Sequence, residues 1–185
     1  GHDADVVRLG TVQAQQIIER QRALPDALKA LFRVPFPVHS IDCFDISHKQ
    51  GMYMVGSCVR FVDGKPDKKM FRHFHIKTVE GQDDYASLRE IVARRYKDGV
   101  DVPDLILIDG GKGQLAQAIS VLEELQLHDL LILGVAKGPE RKAGAEQLIL
   151  PDGSLLAIAT QSPARLLIQH VRDEAHRFEI GRAHV

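Results

Sequence analysis

A short apolar strand that runs into an acid and a glycine cluster constrains this chain most. Four consecutive apolar residues, Leu105–Ile108, precede Asp109, and Gly110, Gly111 and Gly113 follow it. Such a run is typical of a strand buried on both faces of a parallel sheet. Because chemistry in open α/β sheets collects at the carboxyl ends of the strands, we expect Asp109 at a functional edge. A turn or capping role for this acid is the alternative.

The glycine-rich turn after Asp109 is not a nucleotide-binding P-loop. In that motif the lysine is followed by Ser or Thr, whereas here Lys112 is followed by Gly113. Apolar residues at helical spacing follow over residues 115–125 and predict a helix that packs back onto the sheet. The stretch therefore indicates a strand–turn–helix unit without P-loop chemistry.

The remaining patterns predict a mixed α/β domain. The predicted strands cover residues 40–46, 52–62, 70–76, 105–108 and 130–136, and a small extra hairpin joins 147–150 to 155–158. The predicted helices cover about 81–96, 115–125 and 162–178, after a helical segment over 6–31 that Pro25 interrupts. We therefore expect a five-stranded mixed sheet flanked by helices, with an N-terminal helical arm.

Composition excludes a membrane protein and a strongly basic one. No apolar run approaches the roughly 18 residues that span a bilayer, so we expect no membrane partner. The formal net charge of −1 gives no general attraction for nucleic acid, so any such surface must be local. Cys43 and Cys58 lie in predicted strands without metal-ligand spacing, and we expect reduced core cysteines in a cytoplasmic protein.

Both ends of the chain have unusual sequences. The chain starts at Gly1 without methionine, which is typical of a fragment or a tag remnant. The last seven residues, Glu179–Val185, match the in-frame translation of a common sequencing adapter, so we exclude them from fold reasoning. We expect a connecting arm over 1–37, a folded domain over 38–178 and a non-native tail over 179–185.

Two acids and a histidine form a candidate site. Asp45 shares one face of the first predicted strand with Ile41 and Cys43, and it would approach Asp109 if their strands are neighbours. Carboxylates about 4 Å apart repel by roughly 4 kcal/mol at a dielectric of 20, so one is protonated or a divalent cation lies between them. Oxygen ligands suit Mg²⁺ or Mn²⁺. His176 on the last helix is a third candidate, with a purely structural histidine as the alternative.

Five motifs occur in an order that resembles one known family. They are Phe44–His48, Gly81–Ala86, Ile108–Gln114, Gly134–Gly138 with Arg141–Gly144, and Arg172–Phe178. Together they resemble the C-terminal nuclease domain of the UvrC family, a component of the excinuclease of bacterial nucleotide excision repair. The resemblance covers roughly residues 38–178. The family's GIY-YIG nuclease domain, implied to make the 3′ incision, and its tandem helix-hairpin-helix domain fall outside this sequence.

The resemblance implies a ribonuclease H-like fold and an Asp-Asp-His catalytic set. Residue by residue, that set falls on Asp45, Asp109 and His176, which would hold Mg²⁺ or Mn²⁺. A further family acid falls on Asp84, for which a helix N-cap is the alternative. The implied activity is a metal-dependent endonuclease that makes the 5′ incision beside damaged DNA, with a metal-activated water as the nucleophile.

The expected partners are damaged double-stranded DNA and, through regions largely outside this sequence, UvrB. Candidate phosphate contacts are the basic residues Lys112, Lys137, Arg141, Lys142 and Arg72. The alternative for these residues is a solvated loop or a sheet edge protected by charge. The oligomeric state stays open.

Two other functions compete with this interpretation. The first is another ribonuclease H-like nuclease or recombinase, in which carboxylates fill the whole site, so an essential His176 would discriminate. The second is a non-catalytic module that binds DNA or a repair partner. The presence of all three residues of the catalytic set argues against a degenerate site.

Overall fold

A computed structural model describes residues 12–16, 23–49, 53–76, 83–138, 146–159 and 161–181. Eight strands within these ranges form one mixed sheet. They are β1 (Ser40–Lys49), β2 (Tyr53–Val62), β3 (Lys65–Pro66), β4 (Arg72–His75), β5 (Leu105–Asp109), β6 (Leu131–Ala136), β7 (Gln147–Ile149) and β8 (Leu155–Leu156). The strand order is β3-β2-β1-β5-β6-β7-β8, and β4 also pairs with β2. The predicted α/β class is confirmed. The sheet is wider than five strands because β3 and the β7–β8 hairpin extend its edges.

Four helices lie beside this sheet in the described ranges. They are α1 (residues 23–32), α2 (Asp84–Tyr96), α3 (Lys112–Glu124) and α4 (Pro163–Gly181). Residues 12–16 are also helical, and Lys68–Met70 form a short 3-10 helix. The predicted interruption at Pro25 is wrong for the described residues, because Leu24, Pro25 and Asp26 all lie within α1. Residues 17–22 lie outside the described residues.

The alternation of side chains along the strands creates two apolar layers. The face of β1 that carries Ile41 and Cys43 packs against α1 and α4, whereas the face that carries Phe44 packs against α2 and α3. Leu28 of α1 is 1% exposed and belongs to the first layer. The expectation of a mere connecting arm before residue 38 therefore needs correction, because α1 contributes to the core.

The register of β1 and β5 brings the two candidate acids to the same end of the sheet, at the carboxyl ends of these parallel strands. These strands are parallel neighbours, and Phe44 is paired with Ile108. Asp45 and Asp109, the next residues of each strand, therefore lie side by side on the face that α4 covers. The condition for their approach, that the two strands are neighbours, is met.

Three further expectations can be compared with the structure. Helix α4 continues to Gly181, past the expected domain end at residue 178, and residues 182–185 lie outside the described residues. Cys43 and Cys58 are free and buried, as predicted. Within the described ranges, no helix combines the length and apolar character that a bilayer crossing requires.

Candidate active site

Asp45 is a buried carboxylate whose charge is poorly compensated. Its side chain is 9% exposed. The Oδ2 atom is shielded from solvent and accepts no hydrogen bond from the described residues. Because a buried charge without partners is unfavourable, this oxygen is suited to accept a ligand from outside the chain.

Asp109 at the end of β5 has a cationic partner from helix α4. Arg172 Nε donates to Asp109 Oδ1 at 3.1 Å. The same guanidinium donates from Nη1 to Glu146 Oε1 at 3.4 Å. Arg172, in the middle of helix α4, therefore connects the end of β5 to the residue that precedes β7.

His176 lies one helical turn after Arg172 and faces the other acid. Its Nδ1 is 3.5 Å from Asp45 Oδ2, a separation longer than a good hydrogen bond. The imidazole is 65% exposed, so it forms the solvent side of the site. The structure therefore brings Asp45, Asp109 and His176 to one edge, and His176 does not point into the apolar core.

The electrostatic surroundings of Asp45 favour its neutral form. Burial, followed by the negative charges of Asp109 and Glu179, raises the pKa of Asp45 from 3.8 to about 6, against the opposing effect of His176. Burial, followed by Asp109 and Asp45, also raises the pKa of the Cys43 thiol, since this cysteine is close to both acids. A cation beside Asp45 would offset the cost of burying its negative charge and would favour the ionised carboxylate.

These residues fit a divalent cation held first by the two acids. The donors are carboxylate oxygens, which suit Mg²⁺ and Mn²⁺, and the adjacent imidazole is a better ligand for Mn²⁺ than for Mg²⁺. The observation that supports the fit is Asp45 Oδ2, which is shielded from solvent and accepts no hydrogen bond from the described residues. Within the described ranges, no group of three or more His, Cys, Asp or Glu side chains is already arranged to hold a metal. His176 would therefore have to approach further to become a third ligand.

Glu179 also lies near Asp45, but it belongs to the segment predicted to be non-native. Its side chain is buried, and it accepts a hydrogen bond from Ser47 Oγ at 2.5 Å. This third carboxylate adds to the negative charge around Asp45.

The other predicted acid, Asp84, occupies the first turn of α2. The N-cap is its neighbour Asp83, whose carboxylate accepts a hydrogen bond from the backbone N–H of Ala86 at 3.0 Å. The capping alternative considered for Asp84 therefore applies to Asp83. Helix α2 lies on the sheet face opposite to α4, so the role of Asp84 stays a prediction.

Not all of the predicted basic residues lie near Asp45 and Asp109. Lys112 begins α3 and Lys137 follows β6, so both are exposed near the carboxyl ends of the parallel strands. Arg72 lies on the α2 face, and its Nη1 donates to the carbonyls of Lys69 and Phe71 at 2.6 and 2.7 Å. It is thus not brought together with the acids. Arg141 and Lys142 lie outside the described residues.

The sequence analysis gave no role to Arg172 or Glu146, which the structure places beside the acids. Arg172 precedes His176 by four residues, so the two share one face of a helix. That spacing was a usable signal for Arg172. No signal in the sequence pointed to Glu146, since its approach to Arg172 depends on how β7 joins the sheet.

The fold and site define a mixed α/β domain with a pair of acids and a flanking histidine at the ends of two parallel strands. A sequence model of the UvrC RNase H endonuclease domain matches residues 29–180, and the chain belongs to that family. The UvrABC system protein C of Stenotrophomonas maltophilia is 43% identical over 191 residues, covering 97% of this chain and 31% of that protein. That of Alkalilimnicola ehrlichii is 48% identical over 171 residues, covering 89% and 27%. The chain thus spans under a third of the length of these relatives.

Solved structures with similarity to this chain include endonuclease V proteins. Human ENDOV aligns with a TM-score of 0.40 and 15% identity, covering 88% of this chain and 99% of that one. A Ciona intestinalis endonuclease V in complex with inosine-containing DNA aligns with a TM-score of 0.38 and 18% identity, covering 69% and 59%.

Proposed function

We propose that this chain is the metal-dependent endonuclease domain that makes the 5′ incision beside damaged DNA in bacterial nucleotide excision repair. Membership of the UvrC family supports the pathway. The observation that carries the chemistry is the pair of Asp45 and Asp109 on adjacent parallel strands, in which the shielded Oδ2 of Asp45 accepts no hydrogen bond from the described residues.

The chain's own residues divide the work of phosphodiester hydrolysis. Asp45 and Asp109 would hold the cation, Mg²⁺ or Mn²⁺, at the carboxyl ends of their strands. When bound, the cation supplies Lewis-acid polarisation of the scissile phosphate and lowers the pKa of a water molecule. His176 directs Nδ1 towards Asp45, which leaves Nε2 at the exposed rim to hold or move a proton. The products are a 5′-phosphate and a 3′-hydroxyl. Asp84 has the least structural support among the proposed catalytic residues, because α2 lies on the sheet face opposite to α4.

The DNA path runs along the same edge in this proposal. Lys112 and Lys137 are exposed there, and Arg141 and Lys142 follow in the sequence. A few phosphate contacts give weak affinity that falls steeply with salt. Arg72 lies on the opposite face, so we give it a lesser part in binding. The chain's partners are then damaged duplex DNA and, through other segments of the whole protein, UvrB. The free, buried cysteines support a cytoplasmic location.

The incision test uses a hybrid in which this chain replaces the corresponding domain of a full-length relative in a complete UvrABC system. Asp45→Asn and Asp109→Asn should each lower 5′ incision of a damaged duplex by roughly 100-fold or more, since the charge stabilisation is lost. The 3′ incision should persist, which shows that the system still assembles. Asp173→Asn removes an exposed acid from α4 and should keep normal activity. Normal 5′ incision by either active-site variant would contradict the proposal.

The binding test titrates labelled duplex with this chain at several salt concentrations. Replacement of Lys137, Arg141 and Lys142 by Ala should weaken binding and flatten its salt dependence. The matched control replaces Lys65, Lys68 and Lys69, which carry the same charge beside the start of β1, at the far end of the sheet. A larger effect from the control set would show that the DNA path lies on another surface.

A further inference from the structure

Arg172 makes the closest charged contact to Asp109 among the ion pairs of the described residues. Its Nε lies 3.1 Å from Asp109 Oδ1, and its side chain is 14% exposed. The contact uses one oxygen of a carboxylate that the proposed function assigns to a divalent cation. A guanidinium and a cation cannot both occupy this position without repelling each other, so the two compete for Asp109.

Glu146 offers the same guanidinium a second carboxylate. Its Oε1 lies 3.4 Å from Arg172 Nη1, and its side chain is also 14% exposed. The backbone at this residue is fixed independently, because Arg165 of α4 donates to the carbonyl of Glu146. Arg165 thus holds Glu146 beside α4, where its carboxylate lies within reach of Arg172. The guanidinium is shared between an acid of the site and an acid outside it.

We propose that Arg172 is a positioning residue that competes with the divalent cation for Asp109, and that Glu146 sets the strength of this competition. Asp45, whose Oδ2 accepts no hydrogen bond in the described part of the chain, accepts the cation first. Asp109 becomes available as Arg172 shifts its pairing towards Glu146. The inference rests on the proposed function, since it requires the cation at the two acids.

The competition predicts opposite effects from two neutral substitutions. Arg172→Gln removes a positive charge from the site and frees Asp109, so the cation should bind more tightly. Glu146→Gln leaves Arg172 with Asp109 as its partner and removes a negative charge nearby, so the cation should bind less tightly. A purely structural role of the Arg172 network would instead weaken cation binding in both variants, because either change would loosen the site.

The test is calorimetric titration of the 185-residue chain with Mn²⁺. Arg172→Gln should lower the dissociation constant by roughly tenfold and Glu146→Gln should raise it by a similar factor, the size expected for one nearby charge. Arg172→Lys keeps the charge and should stay between wild type and Arg172→Gln. Arg89→Gln is the matched control, because this arginine pairs with Glu124 on the opposite face of the sheet, and it should change the constant less than about threefold. Circular dichroism should confirm that each variant is folded.

Two results separate failure of this inference from failure of the proposed site. If Asp45→Asn abolishes Mn²⁺ binding but Arg172→Gln and Glu146→Gln shift it in the same direction or leave it unchanged, the competition is overturned and the site stands. If Asp45→Asn binds Mn²⁺ as tightly as wild type, the cation does not lie between these acids. The proposed site and the inference then fail together.

Discussion

Asp42 and Asp45 lie three residues apart on β1, on opposite faces of the sheet, and their buried carboxylates have contrasting partners. Asp42 accepts hydrogen bonds from Arg60 Nε at 2.7 Å and from the Tyr96 hydroxyl at 2.6 Å, and Arg95 Nε lies 3.3 Å away. Asp45 has acids as neighbours, a histidine at 3.5 Å, and an oxygen without a hydrogen bond from the described residues.

The difference shows how burial alone fails to identify a site. A buried carboxylate stabilises a fold only when cations and donors compensate its lost hydration. Asp42 has that compensation within the chain and joins β1 to β2 and α2. Asp45 is compensated only in part, so its charge is available to a ligand. Its position, at the carboxyl end of a parallel strand, is also where a ligand can approach.

Asp42→Asn should have the largest effect on stability. It leaves the guanidinium groups of Arg60 and Arg95 buried without their carboxylate, and we expect a loss of about 3–5 kcal/mol in the free energy of unfolding. Urea denaturation in the presence of a chelator measures this loss. The exposed acid Asp98, changed to Asn, is the control and should alter the free energy by less than about 0.5 kcal/mol. A loss below about 1 kcal/mol for Asp42→Asn would remove the contrast between the two acids.

Asp45→Asn should have a smaller effect of the opposite sign, and that effect should depend on pH. The pKa of Asp45 is raised from 3.8 to about 6, so its ionised form destabilises the metal-free fold. Below about pH 4 the carboxyl is protonated in both states and the penalty is absent. Above about pH 6 it is ionised in both states and the penalty is complete.

The expected gain for Asp45→Asn is therefore about 1–3 kcal/mol near pH 8, and it should vanish as the pH falls towards about 4. Urea denaturation of the wild-type and variant chains across this range, with chelator, gives the difference directly. If Asp45→Asn were instead less stable than wild type near the upper pH limit of this range, the charge of Asp45, like that of Asp42, would already be compensated by the chain.

His176→Gln should change stability least. The imidazole is 65% exposed, so its removal should alter the free energy of unfolding by less than about 0.5 kcal/mol. In the hybrid repair assay the same substitution should nevertheless lower 5′ incision strongly. A variant that loses stability and activity in proportion would show that His176 supports the fold and not the reaction.

The sequence allowed the two faces of β1 to be separated, because Asp42 and Asp45 differ by an odd number of positions. It also predicted that Asp109 ends a buried strand. The partners of these acids could not be predicted from spacing. Tyr96 and Arg172 are 54 and 63 residues from the carboxylates that they contact, so their approach depends on the packing of whole helices. For the same reason the contribution of Leu28 to the core was missed.

The site was predictable where a motif fixed a residue and its element together. His176 follows from the helical motif that ends the domain, and the structure places it against Asp45. Asp84 shows the limit of such reasoning, because the sequence could not decide which of two adjacent acids caps α2. The hydrogen bond from Ala86 to Asp83 decided that point.

The most direct test of the central claim is anomalous X-ray scattering from crystals of this chain soaked in Mn²⁺. The account predicts one strong peak within coordinating distance of the carboxylates of Asp45 and Asp109, and none beside Asp42. Crystals of Asp45→Asn should lose that peak. Strong peaks elsewhere on the chain, with the space between Asp45 and Asp109 empty at saturating Mn²⁺, would contradict it.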